Sequence, residues 1–266
     1  MTVTLESQPH QVPPYDVQGW KGRSHSACVI IPVINEGARI GHLLSRMAAL
    51  DIAAQADIII VDGGSTDGSL REDRLDAGRV AALLTKRGPG RLSAQLRCAY
   101  DFALEQGYDE IVTIDGNDKD DPDPIPAFIA AIRSGVDFVQ ASRFLPGGIA
   151  ENTPFKRTLA VRLIHAPALS IASGFRWTDT TQGFRAYSRR LLSDPRVAIF
   201  RDVFVGYELL AYLNYRAPRL GYRCVEMPTA RRYPAGEKTP TKINFSGELG
   251  LMSVLLKACG GRYDPR

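Results

Sequence analysis

An α/β fold, with a mostly parallel central sheet flanked by helices, is predicted by three features of this 266-residue sequence. Short apolar runs alternate with helix-length amphipathic ones over residues 28–114. Two runs, CVIIPV (28–33) and DIIIV (57–61), are continuously apolar, as in strands buried on both faces. Glycine-bearing polar loops follow the runs, at the strand ends where open parallel sheets bind ligands.

Residues 1–26 are polar and proline-bearing, an extended or loosely ordered arm lacking the basic start and apolar core of a signal peptide. The first strand leads into a helix over 38–50, with Ile40, Leu43, Leu44 and Met47 at helical spacing. After the second strand come a Gly/Ser/Asp turn, a charged helix and the strand VAALLT (80–85). The loop KRGPGR (86–91) opens a helix through residue 107, followed by the strand EIVTI (110–114). Beyond Asp115 the pattern loosens. PDPIPAFIAAIRSG (122–135) is a helix entered through prolines, and VDFVQAS (136–142) is a strand. Residues 155–174 form a long, partly basic helix interrupted at Pro167. DTTQGFRAYSRRLL (179–192) reads as loop and helix, and residues 205–228 as helix and strand. No linker divides the halves, so the second is a subdomain fused to the first.

The net charge of +4 is too small to argue for nucleic acid. Four scattered cysteines without C-x-x-C spacing read as reduced core thiols of a cytosolic protein. No run approaches the roughly 18 apolar residues that span a bilayer. LGLMSVLLKACGG (249–261) is short, carries Lys257, and reads as a packed terminal helix rather than a membrane-surface one.

The loops carry the chemistry. Residues 62–69, DGGSTDGS, let the backbone approach a ligand and offer a carboxylate to a base or ribose. KRGPGR is a cationic turn at a helix start, suited to an anion. Asp115, Asp118, Asp120, Asp121 and Asp123 crowd nine residues, a repulsive arrangement that calls for positive charge. Beside an anion-binding loop, that charge is provisionally Mg²⁺ or Mn²⁺ carrying a diphosphate. Helix capping and solvation offer a plainer account of Asp120, Asp121 and Asp123.

In these residues the chain resembles the family 2 glycosyltransferases, nearest the polyprenyl-phosphate sugar transferase branch typified by dolichyl-phosphate mannose synthase. VIIPVINEG, IIIVDGGSTDGS, IVTIDGNDKDDPDPI, DFVQASRF, DTTQGFRAYSR and the segment from GYELLAYL through GEKTPTKI match that family's motifs in order, from about Cys28 to Ile243. The resemblance implies a GT-A fold, a Rossmann-like sheet with a fused acceptor-side subdomain. It bounds an arm (1–26), a glycosyltransferase domain (27–243, with a nucleotide-binding half 27–142 and an acceptor half 143–243) and a C-terminal amphipathic helix and tail (244–266).

The resemblance also implies site roles. Pro32, Asn35, Glu36 and Asp62 would bind base and ribose, with Arg91 near base or phosphates. Asp115 and Asn117 would form the metal pair. Arg143 and the Asp179–Arg185 segment would face acceptor or sugar. Arg231, Arg232, Lys238 and Lys242 would close over the diphosphate.

Three departures stand out: Gly63 and Asn117 occupy aspartate positions, and Lys119 occupies a further ligand position. Asp118 or Asp120 is the expected substitute ligand. The family's usual base falls on Leu209, leaving Glu208 or Asp179 as base for a hydroxyl.

The main expectation is therefore an inverting transfer from a UDP-sugar, or a GDP-sugar, to a soluble hydroxyl or amine acceptor, as in natural-product or glycoside biosynthesis. One alternative is a polyprenyl-phosphate acceptor at the membrane surface, with Arg143 holding its phosphate and no base required. Another is a catalytically silent nucleotide-sugar binder. Expected partners are the sugar donor and a small-molecule, carrier-bound or lipid-phosphate acceptor. No nucleic acid is expected, membrane contact is at most peripheral to the inner face, and a homodimer is compatible with the sequence. A dehalogenase-type phosphatase would need an aspartate at Asn117, and neither a dinucleotide fingerprint nor a P-loop occurs.

Overall fold

The computed structural model describes residues 10–234 and 245–265. Eight strands form one sheet: β1 (Tyr15–Gln18), β2 (Ala27–Val33), β3 (Asp57–Asp62), β4 (Val80–Lys86), β5 (Glu110–Thr113), β6 (Phe138–Ser142), β8 (Arg185–Ser188) and β9 (Cys224–Pro228). Strands β7 (Ile149–Glu151) and β10 (Ala230–Arg232) pair separately. The helices are α1 (Ala38–Ala49), α2 (Glu72–Ala77), α3 (Leu92–Glu105), α4 (Ile125–Arg133), α5 (Phe155–Ala160), α6 (Ala166–Ser173), α7 (Arg189–Leu192), α8 (Glu208–Arg219) and α9 (Phe245–Cys259).

The sheet order is β1-β4-β3-β2-β5-β8-β6-β9. From β2 the chain runs outward through β3 and β4, then returns to β5 on the other side of β2. All three pairings are parallel, so the β2/β5 junction is a topological switch point with a crevice at its C-terminal edge. Strands β2 and β3 are buried along their whole length, as their apolar runs require. Amphipathic helices cover both faces. On one side α1 buries Ile40, Leu43, Leu44 and Met47 beside Phe128 of α4. On the other, α3, α8 and α9 pack Leu96, Leu213 and Leu255 into a second apolar layer. Cys28, Cys98 and Cys224 are buried and all four cysteines are free.

Two elements differ from the sequence expectation. Residues 185–188, read as part of a loop and helix, form a strand that runs antiparallel between β5 and β6. Its signal is hidden because Arg185 is fully buried, donating to the carbonyls of Thr180, Gln182 and Leu210. The interruption in the 155–174 helix is a π-turn over Val161–His165, just before Pro167. Proline has no N–H to give the preceding turn, and a wider turn absorbs the mismatch. The N-terminal arm supplies β1, antiparallel to β4 at the sheet edge.

Candidate active site

A cavity of about 540 Å³ opens at the switch point, within the range of small-molecule sites. Of the candidate site residues, Pro32, Glu36, Arg91, Asp115, Asn117 and Arg231 line it. Asn35, Asp62, Asp118, Arg143, Asp179, Glu208 and Arg232 do not. Lys238 and Lys242 lie outside the described residues.

Asn35 and Asp62 shape loops instead. Asn35, at φ 51°, receives the Thr66 N–H on Oδ1 at 2.8 Å and donates its own N–H to Ser65 Oγ at 3.0 Å. The Asp62 carboxylate takes the Ser65 N–H at 2.9 Å and its hydroxyl at 2.6 Å. These bonds tie the loops after β2 and β3 together. The Gly63 departure has a steric cause. A Cβ there would lie 2.8 Å from Gln95 Nε2, and that amide donates to the carbonyls of Val33 (2.9 Å) and Val61 (3.2 Å). Buried Gln95 of α3 thus stitches the ends of β2 and β3 and lines the cavity. Its polar side chain on a buried helix face was the available signal.

Much of the aspartate cluster is neutralised by the protein's own arginines. Asp118 and Asp121 pair with Arg46 of α1 at 3.0 and 2.9 Å, and Asp121 also meets Arg232 at 3.2 Å. Asp120 is fully buried against Arg231 at 2.5 Å. Burial nevertheless pushes the Asp120 carboxyl above its ordinary range, against the pull of Arg231. Asp118 and Asp120 are therefore turned away from the substitute-ligand role, each by an arginine. Asp115 remains at the cavity. Its Oδ2 accepts from Arg231 at 3.2 and 3.3 Å, beside Asn117 Nδ2 at 3.5 Å. Gly183 packs on this carboxylate so closely that a Cβ would fall 2.1 Å from Oδ1.

The candidate bases are also occupied. Asp179 is fully buried and accepts Arg143 Nε at 2.7 Å, Gln182 Nε2 at 2.9 Å and the Thr181 N–H at 3.2 Å. Burial alone would raise its pKa, but the Arg143 charge and these bonds overcome it, and the carboxyl is lowered. Arg143 is itself buried in this pair. Glu208 turns back to receive the N–H groups of Val205 (3.0 Å) and Gly206 (2.5 Å). That turn presents the Val205 and Gly206 carbonyls to the N–H groups of Arg91 and Ser93 at the start of α3. Glu208 supports the wall rather than the reacting atoms.

The cavity is electropositive. Five cationic side chains line it (Arg39, Arg91, Lys119, Arg157, Arg231) against two carboxylates, Glu36 and Asp115, so it favours an anion. Glu36 pairs with Arg39 at 2.9 Å and Asp115 with Arg231. Arg157 donates to the Tyr233 hydroxyl at 3.3 Å. Burial opposes ionisation of the Tyr233 phenol, yet Arg231, Arg157 and Arg143 together lower its pKa. His165, from the π-turn, lines the cavity with Nδ1 2.6 Å from Thr180 Oγ1. Burial, then the charge of Arg185, lowers its pKa to about 4, keeping the ring neutral. Sequence reasoning missed Arg157 and His165, which come from a helix with no motif of its own.

Among the described residues no group of three or more His, Cys, Asp or Glu side chains gathers to hold a metal. Asp115 and Asn117 together offer one carboxylate and one amide oxygen. That fits a phosphate-bridged ion completed by water and ligand oxygens, not an all-protein cage.

Comparison with known proteins agrees with this geometry. Residues 28–194 match the family model "Glycosyl transferase family 2". The chain is 29% identical to polyprenol monophosphomannose synthase of Mycolicibacterium smegmatis, over 75% of each chain. It is 31% identical to undecaprenyl-phosphate mannosyltransferase of Micrococcus luteus, over 75% of this chain and 80% of the relative. Among solved structures it superposes on glucosyl-3-phosphoglycerate synthase of Mycobacterium tuberculosis, crystallised with Mn²⁺, UDP and glucosyl-3-phosphoglycerate. The TM-score is 0.57 at 20% identity, covering 92% of this chain and 82% of that one, a likeness of fold alone.

The curated relatives correct one expectation. They are sugar transferases named for polyprenyl-phosphate substrates, which overturns the soluble hydroxyl or amine acceptor and favours the lipid-phosphate alternative. The family match extends from β2 past the aspartate cluster to residue 194. With its GT-A fold and its anion-seeking crevice at the switch point, the chain is a glycosyltransferase and belongs to glycosyl transferase family 2.

Proposed function

We propose that this glycosyltransferase moves a sugar from a nucleoside diphosphate, uridine favoured over guanosine, to the phosphate of a polyprenyl lipid, with inversion at the anomeric carbon. The observation that carries the reading is the commitment of Asp179 and Glu208 to other partners, in a cavity with surplus cations. A hydroxyl acceptor needs a base, whereas a phosphate monoester arrives ionised and is attracted by the same cations.

In the reaction an acceptor phosphate oxygen bonds to the anomeric carbon. The bond from that carbon to the donor diphosphate breaks, and its electron pair leaves on the diphosphate oxygen. Arg91, Lys119 and Arg231 stabilise the charge that builds there. Pro32 and Glu36 contact the nucleoside, while Asn35 and Asp62 hold their loops. Asp115 and Asn117 would hold a Mg²⁺ or Mn²⁺ ion, which supplies Lewis-acid stabilisation of the leaving diphosphate when bound.

Peripheral membrane contact follows from the outer face of the 155–171 segment. Phe155, Leu159, Leu163, Ile164 and Ile171 are exposed, Ile171 by 85%, interspersed with exposed Lys156 and Arg162. Apolar side chains among cations suit an anionic lipid surface. Among the described residues no helix is long and apolar enough to cross a membrane.

The test incubates the protein with radiolabelled UDP- or GDP-sugars and undecaprenyl phosphate in vesicles, and extracts glycosyl lipid. Label appearing only on soluble hydroxyl or amine acceptors would sink the proposal.

A further inference from the structure

We infer that Lys119 is a built-in cation for the donor diphosphate, and that nucleotide binding therefore depends little on a divalent ion. The inference rests on the donor assignment above. Lys119 lines the cavity at 8% exposure, on the same loop as Asp115 and Asn117. Its ammonium lies 4.9 Å from the Tyr233 ring centroid. Among the described residues its ammonium has no hydrogen bond and no ion pair, whereas the neighbouring aspartates 118, 120 and 121 all have arginine partners. An ammonium that faces the cavity without an acceptor of its own is open to an incoming anion.

The backbone fixes its position from both sides. The Lys119 N–H donates to Asn117 Oδ1 at 3.2 Å, and its carbonyl accepts the Arg232 N–H at 2.8 Å. The next residue, Asp120, forms an antiparallel bridge with Arg231. The loop is thereby pinned to β10, so the charge stands ready before the ligand binds, which lowers the cost of ordering it.

The same geometry weakens the case for a tightly held metal. Asp115 and Asn117 supply only two oxygens, and Asp115 already shares its charge with Arg231. Where a third oxygen ligand would help, Lys119 contributes positive charge that repels a divalent ion and neutralises phosphate itself. A purely structural Lys119, held only by Tyr233, would alter stability without altering metal dependence.

The experiment is calorimetric titration of the full chain with UDP and with GDP, in Mn²⁺ and in EDTA, for wild type and Lys119→Gln. Wild-type Kd is expected to change less than about threefold between the two conditions. Losing a charged hydrogen bond typically weakens binding by about tenfold or more. Lys119→Gln should show that loss in EDTA and recover most of it in Mn²⁺, and Lys119→Arg should behave as wild type. A wild-type change above about threefold overturns the inference without need of any variant. So does a Lys119→Gln protein whose Mn²⁺-to-EDTA ratio equals that of wild type. Binding in Mn²⁺ alone defeats this inference and leaves the donor assignment standing; no binding of either nucleotide in any condition defeats both.

Discussion

Gly183→Ala isolates the role of Asp115 without touching its charge. The new methyl would lie 2.1 Å from Asp115 Oδ1, 2.8 Å from Cγ and 3.2 Å from Oδ2, where real Cβ contacts stay above about 3.0 Å. Relief requires a shift of about 1 Å by the carboxylate or by the segment before β8, a typical consequence of overpacking. The carboxylate has the shorter path, because its neighbours Arg231 and Asn117 stand at 3.2–3.5 Å and the cavity is open beside them. Lengthening its charge-assisted bonds by that amount unseats Arg231, and losing the charged bond that Arg231 is proposed to make to the diphosphate forfeits most of about 2 kcal/mol, equivalent to roughly thirtyfold in nucleotide affinity. Overpacking of about 1–3 kcal/mol lowers the melting temperature by only several degrees in a chain of this size. Calorimetry with UDP and a thermal melt by circular dichroism read both quantities. In an Asp115→Ala background the same methyl meets far less and should cost little more. Affinity within twofold of wild type in Gly183→Ala would refute the reasoning.

Other outcomes follow from the same contacts. Gly63→Asp, which supplies the family's usual residue, should cost about 1–3 kcal/mol by pushing Gln95 off the Val33 and Val61 carbonyls. Urea denaturation measures it, and an unchanged midpoint would remove Gln95 from its assigned role. His165 unfolds to a ring that protonates near 6.5 but resists protonation in the fold until about 4. Its contribution is therefore complete above about pH 6.5 and is lost as pH falls towards 4, by at most about 3 kcal/mol. His165→Asn should flatten that slope by about one proton, and an identical slope would contradict the assignment. Replacing Leu163 and Ile171 by glutamate removes two apolar anchors, each worth about 1.5–3 kcal/mol when fully buried. Co-sedimentation with anionic vesicles should fall at least tenfold, and undiminished binding would exclude this face.

The first half of the sheet was legible because its signals are local. A strand buried on both faces must be apolar throughout, and the glycine and charge of the following loop sit beside it in sequence. The pair Asp115 and Asn117 could be found for the same reason. β8 could not, since four residues carry too little periodicity and Arg185 inverts the usual rule for a buried position. The destinations of the crowded aspartates were equally hidden. Asp118 and Asp121 find their positive charge 72 and 75 residues earlier at Arg46, and Asp120 finds its own 111 residues later at Arg231. Pairings of that separation are set by topology, not by any spacing in the sequence. The base expected at Asp179 or Glu208 failed because a carboxylate's availability depends on which N–H groups surround it in the fold.

The π-turn at Val161–His165 can also be considered as a matter of descent. A π-turn is what an α-helix becomes when it gains one residue without being unwound. Removing one residue between Val161 and His165 would leave an ordinary helix, with everything on one side of the deletion rotated by about 100° relative to the other. His165 could then no longer meet Thr180 while Phe155, Leu159 and Leu163 kept their outward face. A single added residue is thus enough to set the two surfaces of this segment independently, one turned outward and the other fitted to the cavity.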